Sequence, residues 1–311
     1  MAYVPAPGYQ SAFNPPIPFT TMIAGGLRVG MGVSIQATLP KNYNRFAVNF
    51  TTAEGEESDC ALHMNARYDG RDRVVFNTRR CGKWDEEEMK KDMPFKAGKP
   101  FIIQFEITRN NFLISSTGER FYEFGHRIPI EHVMWMSVTG DILVQELSIL
   151  GCGQGVKGGL QLTAAQTGLL PMYGPPSLNP PVPYKSFING GFIPKRTLVV
   201  KGVPTGKSFH INLKVGMNND IPLHFNPRLN KGTLIRNSFL NGTWGEEETQ
   251  VARNPFKQGE FFDVSIRCAD KQYKVFINGS HALDFSHRMF SLAQVDTVEV
   301  EGDVKVFYVF F

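Results

Sequence analysis

One block of sequence occurs twice in the chain. Pro18-Phe19 through Gly25-Gly26-Leu27 returns as Pro183-Tyr184 through Gly190-Gly191-Phe192, and Arg45-Phe46-Ala47-Val48-Asn49-Phe50 returns as Ser208-Phe209-His210-Ile211-Asn212-Leu213. Leu62-His63-Met64-Asn65-Ala66-Arg67 matches Leu223-His224-Phe225-Asn226-Pro227-Arg228. Further on, Phe124-Gly125-His126-Arg127 and Gly140-Asp141 match Phe285-Ser286-His287-Arg288 and Gly302-Asp303. The offset stays near half the length of the 311-residue chain, so two copies of one fold are expected, and not a single large domain. The limits read from the repeat are 18–150 and 183–311. Residues 151–182 between them carry Gly-Cys-Gly-Gln-Gly, Lys-Gly-Gly and Pro-Pro runs, the composition of a mobile linker, and residues 1–17 read as a Pro-rich, extended arm.

Within each copy the apolar residues alternate: Phe46, Val48 and Phe50; Phe101, Ile103, Phe105 and Ile107; Val264 and Ile266; Tyr273, Val275 and Ile277. Period two puts one face of a strand on a core and the other in water. With 30 Gly, 20 Pro and 12% aromatic residues, and no long amphipathic helix, the chain is expected to be all-β. Many short strands in each copy favour two antiparallel β-sandwich (jelly-roll) domains in tandem.

The net charge of +4 is small and its cations are interspersed with acids, which argues against nucleic acid as a partner. The N-terminus lacks the basic and apolar segments of a secretory signal, and no apolar run is long enough to span a bilayer. Cys60, Cys81, Cys152 and Cys268 follow neither metal-ligand nor disulfide-framework spacing and read as free thiols made in a reducing cytosol. A function outside the cell would then need an export route independent of a signal peptide.

Each copy also carries a polar cluster around one tryptophan. In the first, His63, Asn65 and Arg67 are followed by Asn77 and then by Trp84 and Glu87; in the second, His224, Asn226 and Arg228 are followed by Asn237, Trp244 and Glu247. Residues two apart on a strand share a face, so His63, Asn65 and Arg67 point together while Leu62 and Met64 point to the core. Asn77 falls where a neighbouring strand returns, and Trp84 with Glu87 follows over one more turn. A planar fan of donors and acceptors beside an indole suits a hexose, whose hydroxyls both donate and accept and whose C–H patch stacks on an aromatic face.

These motifs resemble the galectin signature, His-x-Asn-Pro-Arg, Val-x-Asn and Trp-Gly-x-Glu-x-Arg, twice over, as in galectins of the tandem-repeat type. The resemblance implies a metal-independent lectin with no cofactor that binds β-galactosides, including lactose and N-acetyllactosamine-type glycans, on glycoproteins and glycolipids. A membrane surface would be met only through its glycans. It implies that His63, Asn65 and Arg67 bond the galactose 4-hydroxyl and ring oxygen and that Asn77 and Glu87 bond the 6-hydroxyl. Trp84 would stack on the sugar, and Arg67 with Glu87 would reach the next one; His224, Asn226, Arg228, Asn237, Trp244 and Glu247 would repeat these roles. Met89 and Thr249 stand where the family has its last arginine, Ala66 replaces the proline and Asp85 the glycine.

Plainer readings accompany these. His126 and His287 are expected to be structural, Trp135 to pack, and Glu86, Glu88, Glu246 and Glu248 to face solvent. The acidic run 85–88 suggests a glycosidase only weakly, because hydrolysis needs carboxyls on both sides of the scissile bond. A sandwich that binds polypeptide through the same surface is a further alternative, which lactose competition on a glycan array would separate from a lectin.

Overall fold

The computed structural model describes residues 9–55, 57–151, 176–249 and 254–311. Most of the expected linker, Cys152 among it, and the first eight residues of the expected arm lie outside the described residues. The chain divides into two compact units. Each has its own apolar core.

In the first unit the strands are β1 (Tyr9–Phe13), β2 (Phe19–Met22), β3 (Gly32–Thr38), β4 (Arg45–Thr51), β5 (Cys60–Arg67), β6 (Arg73–Arg80), β7 (Lys83–Trp84), β8 (Glu88–Lys90), β9 (Phe101–Ile107), β10 (Asn111–Ser116), β11 (Glu119–Gly125), β12 (Trp135–Gly140) and β13 (Leu143–Leu150). One antiparallel sheet runs β1-β13-β3-β9-β10-β11 and the other β2-β12-β4-β5-β6-β7, with β8 also on β6. Alternation does the work expected of it: Phe46, Val48 and Phe50 of β4, Leu62 and Met64 of β5, and Ile103 and Phe105 of β9 are buried in one core between the sheets. Phe50 meets Phe105 and Phe112 at centroid separations of 5.1 and 5.3 Å, the spacing of favourable ring pairs. Tyr9–Phe13, within the expected arm, is paired along its length with β13.

The second unit contains β14 (Ser177–Leu178), β15 (Tyr184–Phe187), β16 (Thr197–Lys214), β17 (Ile221–Arg228), β18 (Thr233–Leu240), β19 (Thr243–Trp244), β20 (Phe262–Cys268), β21 (Gln272–Ile277), β22 (Ser280–Ser286) and β23 (Thr297–Phe310). Where the first unit breaks its chain between β3 and β4 and between β12 and β13, the second runs on. The first part of β16 pairs with β20 and its last part with β17, while β23 follows β16 through both layers with a register shift between Pro204 and Phe209. Ser177 and Leu178, within the expected linker, pair with Val309 and Tyr308.

Both units are antiparallel β-sandwiches, and the only helical elements among the described residues are three-residue 3-10 turns. None is long and apolar enough to cross a membrane. The repeated Gly-Asp pair has a local cause. Gly140 takes a φ of +89°, and a Cβ there would stand 2.5 Å from the Arg45 carbonyl oxygen, so only glycine fits. The carboxylate of Asp141 then accepts the backbone N–H groups of Asn44 and Arg45, as Asp303 does for Lys207 and Ser208.

Candidate functional site

Cross-strand register assembles the cluster. His63 on β5 stands opposite Asn49 on β4 and opposite Asn77 on β6, and Trp84 on β7 stands opposite Arg79 on β6. In the second unit His224 stands opposite Asn212 and Asn237, and Trp244 opposite Phe239. All six expected residues of the first copy line one open cleft of about 480 Å³, together with Ala47 and Thr139.

Each side chain is held in place. Asn65 donates to the Phe46 carbonyl at 3.1 Å and accepts from Arg67 Nε at 2.6 Å, and Arg67 Nη2 reaches Glu87 at 3.0 Å. Asn226, Arg228 and Glu247 repeat the chain at 2.6, 2.8 and 3.1 Å. The Arg67–Glu87 and Arg228–Glu247 pairs lie at the rim, where an ion pair adds little to stability. Their effect is positional, since both partners keep hydrogen-bonding capacity toward the cleft. Trp84 and Trp244 are 50% and 49% exposed, far more than a core indole. Arg79 covers part of the first ring and Phe239 part of the second, and the histidine ring lies about 5 Å from each.

The hydrogen-bonding state of the histidines follows from their partners. In the second unit Glu299 accepts from Asn212 Nδ2 at 3.0 Å, and a carboxylate offers only acceptors, so the Asn212 Oδ1 is the atom turned to His224 Nδ1, 2.7 Å away. Nδ1 therefore carries the proton and Nε2 is left as an acceptor. In the first unit Asn49 is held by Ser137 and meets His63 Nδ1 at 2.5 Å in the same sense. Burial, and then the Arg67 guanidinium, push His63 down to about 4; burial, then His210 and Arg228, push His224 down to about 4. Both imidazoles are neutral at pH 7.

Two arginines that the sequence reading left without a role hold the segment carrying the tryptophan and glutamate. Arg127 donates to the Glu86 carbonyl at 2.8 Å and to Glu88 at 2.6 Å, with a longer 3.4 Å contact to Asn77 Oδ1. Arg288 donates to the Glu246 carbonyl, Glu248 and Asn237 at 2.9, 2.8 and 3.0 Å. A Cβ on Gly245 would stand 2.6 Å from Arg288. Asp85 occupies that position in the first unit, where the arginine stands further from its asparagine. The expectation that Glu88 and Glu248 simply face solvent is thereby corrected: Glu88 also accepts from Tyr122, and Glu248 pairs with Arg236 as well. His126 and His287 are structural as expected, each bonded to a backbone carbonyl and packed edge-on against Phe112 or Tyr273. The arginines had one sequence signal, their place in a block that recurs in both copies. Cys60 and Cys268 are buried free thiols and Cys81 is an exposed one.

The galactoside-binding lectin family model matches residues 18–149 and again 183–311. The chain belongs to the galactoside-binding lectin family. It is a tandem-repeat galectin. It is 47% identical to human (Homo sapiens) Galectin-4 over 322 residues, covering 99% of each chain, and 45% identical to mouse (Mus musculus) Galectin-6, again covering 99% of each. Rat (Rattus norvegicus) Galectin-8 is 33% identical over 94% of this chain and 95% of its own. The chain is accordingly a β-galactoside-binding lectin.

Proposed function

We propose that each unit holds one galactose residue in its cleft, and that the intact chain cross-links glycoproteins or glycolipids through lactose or N-acetyllactosamine-type ends. The observation that carries this is the recurrence of the whole constellation, with the same bond pattern, in both copies. The neutral imidazole Nε2 of His63 accepts from the 4-hydroxyl, while Asn65 and Arg67 donate to that hydroxyl and to the ring oxygen. Asn77 and Glu87 take the 6-hydroxyl, Trp84 stacks on the C–H face, and Arg67 with Glu87 extends to the next sugar. His224, Asn226, Arg228, Asn237, Trp244 and Glu247 act alike. A sugar with a misplaced hydroxyl leaves these polar groups unpaired, which is the source of selectivity.

The reading is of a lectin without catalysis or a required metal. Glu87 is the one carboxylate among the residues that line the first cleft, whereas hydrolysis needs two carboxyls flanking the bond. The domain limits 18–150 and 183–311 and the linker 151–182 belong to the same proposal. So do synthesis in the cytoplasm, action outside the cell by a signal-independent route, and contact with membranes through glycans and not with nucleic acid. Two weak sites in one chain gain strength when the second binding event is intramolecular. Intact protein should therefore agglutinate galactose-bearing vesicles at concentrations where an equimolar mixture of chains cut between the units does not. Lactose should reverse the effect and, in buffer free of transition metals, a calcium chelator should leave it unchanged. Equal agglutination by the cut mixture would refute covalent bridging.

A further inference from the structure

We propose that the second unit carries a divalent-metal site of the zinc class, formed by His210, Glu299 and Glu301 beside its carbohydrate cleft. One ligand atom from each of the three lies within 4.8 Å of the others. His210 on β16 and Glu301 on β23 stand directly opposite in register, with Nε2 3.6 Å from the carboxylate, and Glu299 follows on the same face two residues away. Adjacent strands of one sheet thus hold three ligands at a separation that small side-chain rotations close, since tetrahedral bonds of about 2.0–2.2 Å place ligand atoms some 3.3 Å apart.

The donor set selects the cation. One imidazole with two carboxylates suits a borderline metal such as zinc, and three protein ligands leave a fourth position open, the pattern of sites that exchange their fourth ligand. The fold does not require these residues. At the corresponding register positions the first unit has Ala47, Ser137 and Thr139, with Ala47 opposite Thr139 and Asn49 opposite Ser137, and it forms the same sandwich. Opposing the metal is Lys214, 3.3 Å from Glu299. Its ammonium competes with a cation for Glu299, which favours an exchangeable site over a structural one. The site also touches the sugar cluster. Glu299 is the carboxylate that orients Asn212, Asn212 orients His224, and the rings of His210 and His224 are 5.3 Å apart. Metal occupancy accordingly changes lactose affinity in the second unit and leaves the first unaffected.

The test is calorimetric titration of the full-length protein with Zn²⁺ in metal-free buffer, for the wild type and for His210→Ala and Glu301→Gln, neither of which is among the residues proposed to bond the sugar. The wild type should show a micromolar site that both variants lose or bind at least tenfold more weakly, while zinc held by cysteines is common to all three. A wild-type thermal unfolding profile in EDTA establishes that each variant is folded, and in the wild type the His210 imidazole signals should be the first to shift in NMR as zinc is added. Identical zinc isotherms in wild type and both variants, or first shifts at other histidines, would overturn the site. Magnesium bound as tightly, with the same sensitivity to both substitutions, would overturn its zinc character.

Discussion

Replacing Trp84 by alanine removes the one large apolar surface in the first cleft. A tryptophan exposes up to about 250 Å², so at 50% exposure a sugar that covers half of what remains takes about 60 Å² out of water. At about 25 cal/mol per Å² that area is worth about 1.5 kcal/mol, and the ring-face geometry adds about 0.5–1.5 kcal/mol. Millimolar binding amounts to only about 4 kcal/mol, so a loss of about 2–3 kcal/mol weakens the site about 30- to 150-fold and puts it beyond measurement. Titration of the full-length chain with lactose should fall from two sites to one in Trp84→Ala, again to one in Trp244→Ala, and to none in the double variant. Because both indoles are half in solvent, the thermal unfolding midpoint should hardly move. Unchanged lactose stoichiometry and affinity in both single variants would refute the stacking role and with it the proposed clefts.

Four further outcomes follow from the geometry. The cleft histidines, pushed from 6.5 to about 4 in the folded chain, should keep lactose affinity level from pH 7.5 to 5 and let it fall as pH approaches 4; a loss centred near 6.5 would show that they titrate normally. By linkage the unfolded chain takes up protons that the folded imidazoles refuse, so these groups' contribution to stability is complete above pH 6.5 and declines as pH falls from 6.5 to 4; a histidine-dependent gain in melting temperature over that interval contradicts it. Met89→Arg and Thr249→Arg, at exposed positions, should tighten N-acetyllactosamine by up to about 1 kcal/mol, the ceiling for a solvated ion pair, and galactose by less; equal gains for both sugars exclude contact with the second ring. Arg288→Met removes one charged donor each from Glu248, Asn237 and the Glu246 carbonyl and should cost about 1.5–3 kcal/mol across folding and lactose binding in the second unit, with wild-type stability and affinity in chemical unfolding and calorimetry as the refuting result.

The twofold sandwich and the core faces were legible in the chain itself. Alternation on a strand is a local rule: once Phe46, Val48 and Phe50 face inward, or Leu62 and Met64, the residues between them must face out, and His63, Asn65 and Arg67 are brought together by nothing more than period two. The repeat made the reading firm, because the same spacing occurs with different neighbours. Even the departures, Ala66 and Asp85, could be located in advance, although the accommodation of Asp85 by a longer Arg127 contact could not.

What surrounds those residues was not legible, for a physical reason. Asn49 and Ser137 lie on strands that pair across 88 residues of sequence, Asn212 and Glu299 across 87, and Arg127 reaches Glu88 across 39. Such pairings are set by the order and register of strands within a sheet, which leave no periodic trace near either partner. Glu88 and Glu248 illustrate the difference: in a run of acids each looks like solvated surface, and only the arrival of an arginine from a distant strand end turns them into anchors for the segment that carries the tryptophan. The identity of the groups proposed to meet a ligand was thus determined by local sequence. Their protonation, orientation and support, and the juxtaposition of His210, Glu299 and Glu301, were decided by the tertiary structure, because only folding brings those strands side by side.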